Sequence, residues 1–285
     1  MFYLLLSITC SSIIFVLFKF FEKYNISNIQ AITVNYLSAV LLGYFSTQEN
    51  ISYHIVIDKP WLSLAAVSGI MLMLTFIIYA ISVQKAGIAI TSVLGKMSVI
   101  IPVLLGFIMF QEKITWIRIT GIILALTAFV FTLQRSSKQK TAIKYLILPV
   151  LLFIGNGLND CFFKIAQELY ICDDYTTFLI TAFFVSMAIG MVTMLVLLIS
   201  KKEKLHYKNL VAGILLGIFN WFSTYFFLVG LSCFDVSVFV PVFNASIVCI
   251  AALTGYFFFR EKLTKTNIIG IILAIIAIIL IAGIK

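Results

Sequence analysis

The chain contains ten apolar stretches, each long enough to cross a lipid bilayer as an α-helix. A bilayer core about 30 Å thick needs roughly 20 apolar residues per helix, and stretches of that length, bounded by charged or turn residues, occupy most of the 285 residues. Their predicted bounds are 2–21, 28–46, 61–83, 87–110, 115–133, 145–166, 175–199, 209–231, 236–259 and 266–284. With 62% hydrophobic residues and a mean hydropathy of +1.15, the chain has more apolar surface than a water-soluble domain can bury. We therefore predict an all-α integral membrane protein with ten transmembrane helices.

A sequence repeat divides the chain into two halves. Residues 111–125 read QEKITWIRITGIILA and residues 260–274, 149 positions later, read REKLTKTNIIGIILA, with nine of fifteen positions identical. Each copy covers the loop before the last helix of a five-helix half. Because five is odd, the second half must enter the membrane from the opposite side, as in the inverted repeats of many secondary transporters. We predict two five-helix inverted repeats, 1–134 and 145–285, joined by a basic linker at 135–144.

Basic residues are concentrated in the loops on one side of the predicted bundle. The loops that follow helices 1, 3, 5, 7 and 9, counted together with Lys19 near the end of helix 1, contain 14 of the 20 Lys and Arg residues, with four in 135–144 and four in 201–208. Because Lys and Arg mark cytoplasmic loops, we predict that these two loops are cytoplasmic and that both termini lie outside the cytoplasmic membrane. The net charge of +9 is then explained by the membrane surface and not by nucleic acid.

The loop and helix at the end of each half carry a family resemblance. An E-K-x-T loop precedes a G-x-x-L-A helix at Glu112, Lys113, Thr115 and Gly121, and again at Glu261, Lys262, Thr264 and Gly270. Together with ten helices, this pattern resembles the EamA family of the drug/metabolite transporter superfamily over nearly the whole chain. The resemblance implies a solute carrier whose central cavity is lined mainly by helices 1, 3, 4, 6, 8 and 9, with helices 5 and 10 at the periphery. It implies no particular substrate.

Small features of this motif have structural interpretations. A carboxylate near a helix N-terminus is stabilised by the helix dipole, which favours a structural role for Glu112 and Glu261, with a catalytic or proton-binding role as the alternative. The threonine at the start of each following helix is placed to be an N-cap. The glycine in each helix allows close helix packing. The prolines of the fourth and ninth helices, Pro102 and Pro241, occupy unequal positions in the two halves, which predicts an asymmetric gate.

Lys96 is a cation near the middle of the fourth predicted helix. A lysine at the centre of a membrane helix costs about 2.5–3.5 kcal/mol on insertion scales, and Lys96 is too deep to reach either surface comfortably. We interpret it as a residue that faces a wet cavity and meets an anionic group of a substrate, or a carboxylate partner when the site is empty. A fixed structural ion pair is the alternative.

The sixth predicted helix carries a polar stripe. At helical spacing, Asn156, Asn159, Asp160 and Lys164 fall on one face, and a polar stripe in a membrane helix points inward. Asp160 has three candidate roles: an ion pair with Lys164 one turn along, an ion pair with Lys96 across the cavity, or uptake of a proton that drives exchange.

Three other helices add candidates for substrate binding. Thr75 and Tyr79 lie in the third helix, Asn220, Trp221, Thr224 and Tyr225 in the eighth, and Asn244 in the ninth. We predict that Trp221 and Tyr225 form an aromatic wall for an organic solute, with core packing or lipid contact as the alternative. The predicted substrate-binding set is Lys96, Asn156, Asn159, Asp160, Asn220, Trp221, Tyr225, Asn244, Tyr79 and Thr75.

The sequence contains none of the motifs of a membrane enzyme, a metal site or an ATPase. HExxH, a serine-nucleophile turn, paired aspartate-rich motifs and a phosphate-binding loop are missing, and the cysteines and histidines show no ligand spacing. We predict no enzyme activity and no cofactor. The expected function is secondary transport of a small polar or zwitterionic metabolite, amino-acid-like or similar, by alternating access in export or exchange, coupled to a proton or a counter-substrate. Helices 5 and 10 are flat enough to pair in a homodimer. A lipid-scrambling or purely structural membrane protein is the alternative.

Overall fold

In a computed structural model of the chain, residues 2–46, 58–109, 115–133, 147–170, 175–200, 204–233 and 236–282 are described. Within these ranges the chain forms helices joined by short connections, without a strand. The helices are α1 Phe2–Lys23, α2 Asn28–Ser46, α3 Leu62–Ala86, α4 Ile88–Met97, α5 Ile100–Met109, α6 Trp116–Leu133, α7 Ile147–Leu169, α8 Tyr175–Ile199, α9 Tyr207–Cys233, α10 Val236–Phe257 and α11 Lys265–Ala282.

The all-α prediction is confirmed for the described residues. Five apolar stretches, in α1, α2, α3, α8 and α9, are long and apolar enough to cross a membrane by length and composition, and the remaining helices contain shorter apolar runs. An apolar chain in lipid must satisfy its backbone groups internally, which a helix does. The basic linker predicted at 135–144 lies outside the described residues.

One predicted helix, 87–110, is wrong as a single element because it is interrupted at Ser98 and Val99 between α4 and α5. The cause is Pro102, whose ring clashes with the carbonyl group four residues earlier, that of Ser98. The Ser98 carbonyl oxygen instead accepts a hydrogen bond from the Ile101 N–H at 2.9 Å. The Ser98 hydroxyl donates to the Gly95 carbonyl oxygen at 2.8 Å. The helix is therefore divided in the middle of the protein.

Helices of the two halves pack directly on each other. α2 lies against α9 and α8, α3 lies against α8 and α7, α1 lies against α9, and α6 lies against α11. Glycines permit the closest approaches: a Cβ at Gly217 of α9 would lie 2.6 Å from the Asn35 carbonyl oxygen of α2, and one at Gly270 of α11 would lie 2.7 Å from the Thr132 backbone nitrogen of α6. Such contacts are typical of membrane helix interfaces, and the predicted packing role of Gly270 agrees with this geometry.

One end of the bundle is polar and basic; we call it the basic end. Here the last turns of α1 and α3 meet the first turns of α2, α4 and α9. Lys208 Nζ donates to the Tyr24 carbonyl oxygen at 3.0 Å, and Asn209 Nδ2 donates to Gln30 Oε1 at 2.8 Å. Lys85 forms an ion pair with Glu22 at 3.1 Å. The connections after α1, α3 and α8 therefore lie together at the basic end.

The opposite end has an apolar contact between the first turns of α3 and α8 and the last turns of α7. Trp61, just before α3, is fully buried against Phe178 of α8, with ring centroids 5.7 Å apart, and Ala166 of α7 completes the cluster. We call this the aromatic end. The two ends of the bundle are thus held by different chemistry.

Candidate functional site

A cavity of about 500 Å³ lies between α3, α4, α5, α7, α9 and α10. It is bordered by helices from both halves of the chain. Seven of the ten predicted binding residues line it: Lys96, Asn156, Asn159, Asp160, Asn244, Tyr79 and Thr75. Thr224, which aligns with Thr75 in the repeat, lines it as well. The structure brings these side chains together, and their role in binding remains a prediction.

The break between α4 and α5 shapes one wall of the cavity. Ser98, Val99 and Pro102 line the cavity beside Lys96, which lies in the last turn of α4. α5 begins at Ile100, so its N-terminal end starts at this wall. The C-terminal end of α4 lies at the same wall, and its partial charge is opposite to that of the start of α5. The positive charge of this wall is therefore that of the Lys96 ammonium group, which suits an anionic group.

The Lys96 side chain is half-buried and lies over an aromatic ring. Its Nζ is 5.0 Å from the centroid of the Phe243 ring of α10, within the range of a cation–π interaction. Among the described residues, the ion pairs are those of Glu22 with Lys19 and with Lys85. Lys96 and Asp160 are close enough for their charges to interact electrostatically, but no ion pair within 4.0 Å joins these two described side chains.

The α7 wall carries the anionic and amide groups of the cavity. Asp160 is exposed to the cavity, while Asn159 is only 6% exposed. The Asn159 Oδ1 atom is buried and has no hydrogen-bond partner among the described residues. A buried amide oxygen without a partner costs about 1–3 kcal/mol, so rotation of the Asn159 amide toward a donor in the cavity would stabilise this site. The Lys164 side chain, the other predicted partner of Asp160, lies outside the described residues.

The aromatic lining of the cavity differs from the predicted one. The rings that line the cavity are Phe76, Tyr79, Phe163, Phe227 and Phe243. Trp221 is 3% exposed and packs against Gly43 of α2, in the same buried cluster as Ile180 of α8. Tyr225 is 42% exposed and contacts Phe226. Neither Trp221 nor Tyr225 lines this cavity, so the predicted aromatic wall is not part of it.

Helical geometry explains this difference. On α9, the cavity is lined by Thr224 and Phe227, which are three residues apart and share a face. Asn220 and Trp221 lie one turn earlier, toward the basic end, and Asn220 is 8% exposed without lining the cavity. Its Nδ2 has no hydrogen-bond partner among the described residues. The signal that identifies the correct face is Thr224, whose repeat partner Thr75 also lines the cavity.

The motif residues Thr264 and Glu261 have separate roles. Thr264 is the N-cap that the sequence predicts: its Oγ1 accepts from the Asn267 N–H at 3.1 Å, and Asn267 Oδ1 accepts from the Thr264 N–H at 3.0 Å. Glu261 lies at the N-terminus of α4 and not at that of its own helix, α11. Glu112 and the loop around it lie outside the described residues. Sequence reasoning missed the contact of Glu261 with α4.

Comparisons with known proteins agree with the architecture. The model of the EamA-like transporter family matches residues 1–134 and 143–283. An uncharacterised protein of Haemophilus influenzae is 27% identical over 285 residues, which cover 96% of this chain and 95% of that protein. A solved crystal structure matches with a TM-score of 0.62 at 14% sequence identity, and the match covers 98% of this chain and 95% of that one. That likeness shows the fold alone.

Proposed function

This chain belongs to the EamA-like transporter family and is a multi-pass membrane protein; from that premise we propose that it carries a small zwitterionic metabolite, such as an amino acid, across the cytoplasmic membrane by alternating access, in export or exchange. One observation carries the proposal. Lys96 and Asp160 place opposite charges on the same cavity, and neither is joined to the other by an ion pair in the described structure.

A zwitterion would satisfy both charges. Its carboxylate would lie at the wall formed by Lys96 and the first turn of α5, and its ammonium group would meet Asp160. After rotation of the Asn159 amide, its Oδ1 atom, which is buried and lacks a described partner, would accept a further hydrogen bond from the ammonium group. The phenylalanine rings around the cavity would enclose an apolar side chain. Charges inside a membrane protein are costly and mark ligand pathways.

An inverted repeat would provide the two gates that alternating access requires. Support comes from α6 and α11, which the repeat relates at an offset of 149 residues. Asn267 Nδ2, at the start of α11, donates to the Thr132 carbonyl oxygen at the end of α6 at 2.8 Å. These two equivalent helices are therefore antiparallel neighbours. The predicted homodimer relied on pairing of these two helices between chains. Their contact within one chain does not test it, so it stays a prediction.

The positions of the connections give a second argument for inversion. The connections after α1 and α3, the first and third predicted spans of the first half, lie at the basic end. The connection after α8, the second span of the other half, lies there too, because Gln30 Nε2 donates to the Lys204 carbonyl oxygen at 2.9 Å. In two halves of the same orientation, a connection after an odd-numbered span of one half and a connection after an even-numbered span of the other would lie at opposite ends of the bundle. Their common position at the basic end supports an inverted second half. By the distribution of Lys and Arg, we propose that the basic end is cytoplasmic.

A binding and flux experiment tests the proposal. The purified full-length protein would be screened with the standard L-amino acids by thermal shift, and the strongest binders would be tested for counterflow in proteoliposomes. We expect saturable counterflow of a zwitterion, weakened in Lys96→Gln and Asp160→Asn and unchanged in Lys265→Gln, whose lysine is at the first residue of the peripheral α11. Lipid scrambling without saturable amino acid flux would contradict the proposal and favour the lipid-scrambling alternative.

A further inference from the structure

Glu261 links the two halves of the chain at the basic end. It lies in the connection between α10 and α11, in the second half. Its Oε1 accepts a hydrogen bond from the Ile88 N–H at 2.7 Å, and its Oε2 accepts one from the Ala89 N–H at 3.3 Å. Both donors belong to the first turn of α4, in the first half. The carboxylate therefore caps a helix that lies 173 positions away in the sequence and satisfies N–H groups without intrahelical partners.

Two glycines create the space that the carboxylate occupies. A Cβ at Gly255 of α10 would lie 2.5 Å from Glu261 Oε2, and a Cβ at Gly87 would lie 3.0 Å from the carboxyl group. Gly87 has φ of +102°, a conformation that disfavours other residues. Gly87 separates α3 from α4, so it also ends one helix and frees the N-terminus of the next. The fit of Glu261 depends on glycine at both positions.

Neighbouring contacts close the same end around Glu261. Lys19 of α1, whose charge attracts the Glu261 carboxylate, donates to the Gln84 carbonyl oxygen at the end of α3 at 3.3 Å. Gln84 and Asn28 exchange amide hydrogen bonds at 3.0 and 3.3 Å. Phe259, next to Arg260 and Glu261, packs on Phe20 with centroids 5.7 Å apart. Ends of α1, α2, α3, α4 and α10 therefore meet at this closure.

The helix that Glu261 caps is also the one that carries Lys96. α4 has ten residues, with Ile88 at the Glu261 end and Lys96 at the cavity end. At 1.5 Å per residue these two residues are about 12 Å apart along the helix axis. Because α4 is a short helix separated from α3 by Gly87 and from α5 by the break at Ser98, it can move as a rod. A ligand that pulls on Lys96 would then shift the turn that Glu261 holds.

We propose that Glu261 is the gate residue of the basic end: it holds α4 closed against α10 and releases α4 when the transporter opens to that side. This inference rests on the proposed transport cycle and adds the residue that governs one of its two gates. A lost contact between Glu261 and the Ile88 and Ala89 N–H groups would shift the population toward the state open at the basic end.

Side-specific cysteine labelling tests the proposal without any substrate. In the full-length protein with its native cysteines replaced, Ser98→Cys places a thiol on the cavity wall. A membrane-impermeant maleimide would be added from the side of the basic end to protein in proteoliposomes of known orientation. The rate would be compared among the background protein, Glu261→Ala, Glu261→Gln, Gly255→Ala and Glu112→Ala. Because no solute is present, the result does not depend on the identity of the substrate.

Each variant has a defined expectation. Glu261→Ala removes both acceptors, so labelling from the basic end should become faster by about tenfold or more. Gly255→Ala keeps the glutamate, but the added methyl group displaces its carboxyl group from the N-terminus of α4, so labelling should also become faster. This variant provides the test if Glu261→Ala does not fold. Glu261→Gln keeps one acceptor oxygen for the Ile88 N–H and should stay near the background rate. Glu112→Ala alters the repeat-equivalent carboxylate and should not change labelling from this side.

Two results would overturn the gate assignment. One is an unchanged labelling rate in Gly255→Ala and in any folded Glu261→Ala. The other is an equal increase in Glu112→Ala, since the effect would then not be specific to Glu261. Faster labelling in a protein that binds no zwitterion would leave the gate in place and refute the proposed substrate. Zwitterion flux together with unchanged labelling would support the proposed substrate and refute the gate assignment.

Discussion

The Lys96→Gln substitution should separate recognition of a carboxylate from all other contributions of Lys96. In the proposed complex, the carboxylate of the zwitterion accepts a charge-assisted hydrogen bond from Lys96, an interaction of about 1.5–3 kcal/mol. Because the Lys96 side chain is half-buried and Asp160 is exposed to the cavity, solvent screening favours the lower part of this range. At 1.36 kcal/mol per tenfold, Lys96→Gln should weaken zwitterion binding by about 10- to 30-fold.

A comparison of ligands makes the prediction specific. The amine analogue of the same amino acid lacks the carboxylate and carries only the ammonium group. It should bind the native protein about 10- to 30-fold more weakly than the zwitterion does. It should bind Lys96→Gln at least as tightly as it binds the native protein, because the repulsion between Lys96 and the ammonium group is gone. Titration calorimetry with the two ligands and two proteins gives the four dissociation constants of this double-mutant cycle.

The cycle also states what would refute the reasoning. If Lys96→Gln weakened the amine and the zwitterion by the same factor, Lys96 would act through the shape or stability of the cavity and not through the carboxylate. The cation–π contact with Phe243 provides such a structural route. Thermal unfolding of the ligand-free variant serves as the control, because a structural role would lower the unfolding temperature together with both affinities.

Two further predictions concern stability and pH. Gly270→Leu should destabilise the protein by about 1–3 kcal/mol or more, since even a Cβ there would lie 2.7 Å from the Thr132 backbone nitrogen. The control Ile269→Leu, at a 47% exposed position, should leave the thermal unfolding temperature nearly unchanged. Equal effects of the two substitutions on this temperature would contradict the packing argument. Burial raises the pKa of Glu261 above its ordinary value, more than its two backbone donors and Lys19 lower it.

The closed basic end therefore binds a proton more tightly than an open end with a solvated carboxyl, so closure should be favoured as the pH falls from above the raised pKa toward the ordinary value. The charged groups around the closure include Lys19, Glu22 and Lys85, which are joined by ion pairs. Arg260 and Lys262 flank Glu261 in the sequence. A maleimide reacts with the thiolate, so labelling of Ser98→Cys slows in every variant as the pH falls. The ratio of the rate in the protein with Glu261 to the rate in Glu261→Gln removes this common effect, and we expect that ratio to decrease as the pH falls. A constant ratio would assign any remaining pH dependence to another group.

Helix positions followed closely from the sequence because the membrane limits what an apolar chain can do. The predicted span 28–46 matches α2 in both bounds, and 115–133 differs from α6 by one residue at its start. Each span is limited by bilayer thickness and by the charged or turn residues at its ends. Pro102 was recognised as unevenly placed, but a proline kinks or breaks a helix according to its packing, so the break at Ser98 could not be derived from spacing.

The cavity was predicted better through its charges than through its rings. Lys96 and Asp160 are rare residues in a membrane helix and must face the interior. Aromatic residues are compatible with lipid, core and cavity alike, so Trp221 and Tyr225 carried little information about their direction. The contact of Glu261 with Ile88 depends on how two halves pack, and no local pattern in the sequence encodes it. Sequence reasoning is therefore strongest where burial is costly and weakest where every environment is tolerated.

The repeat gives the two halves similar frameworks, yet the charges of the cavity have no such symmetry. At an offset of 149 residues, Ala245 of α10 occupies the position of Lys96. α10 remains a single helix from Val236 to Phe257 although it contains Pro241, whereas the corresponding α4 and α5 are separate. A symmetric cavity would bind a zwitterion equally well in two opposed orientations. The broken helix with its lysine on one wall, and Asp160 on another, would favour a single orientation, while the shared framework would still allow the two ends of the protein to open in turn.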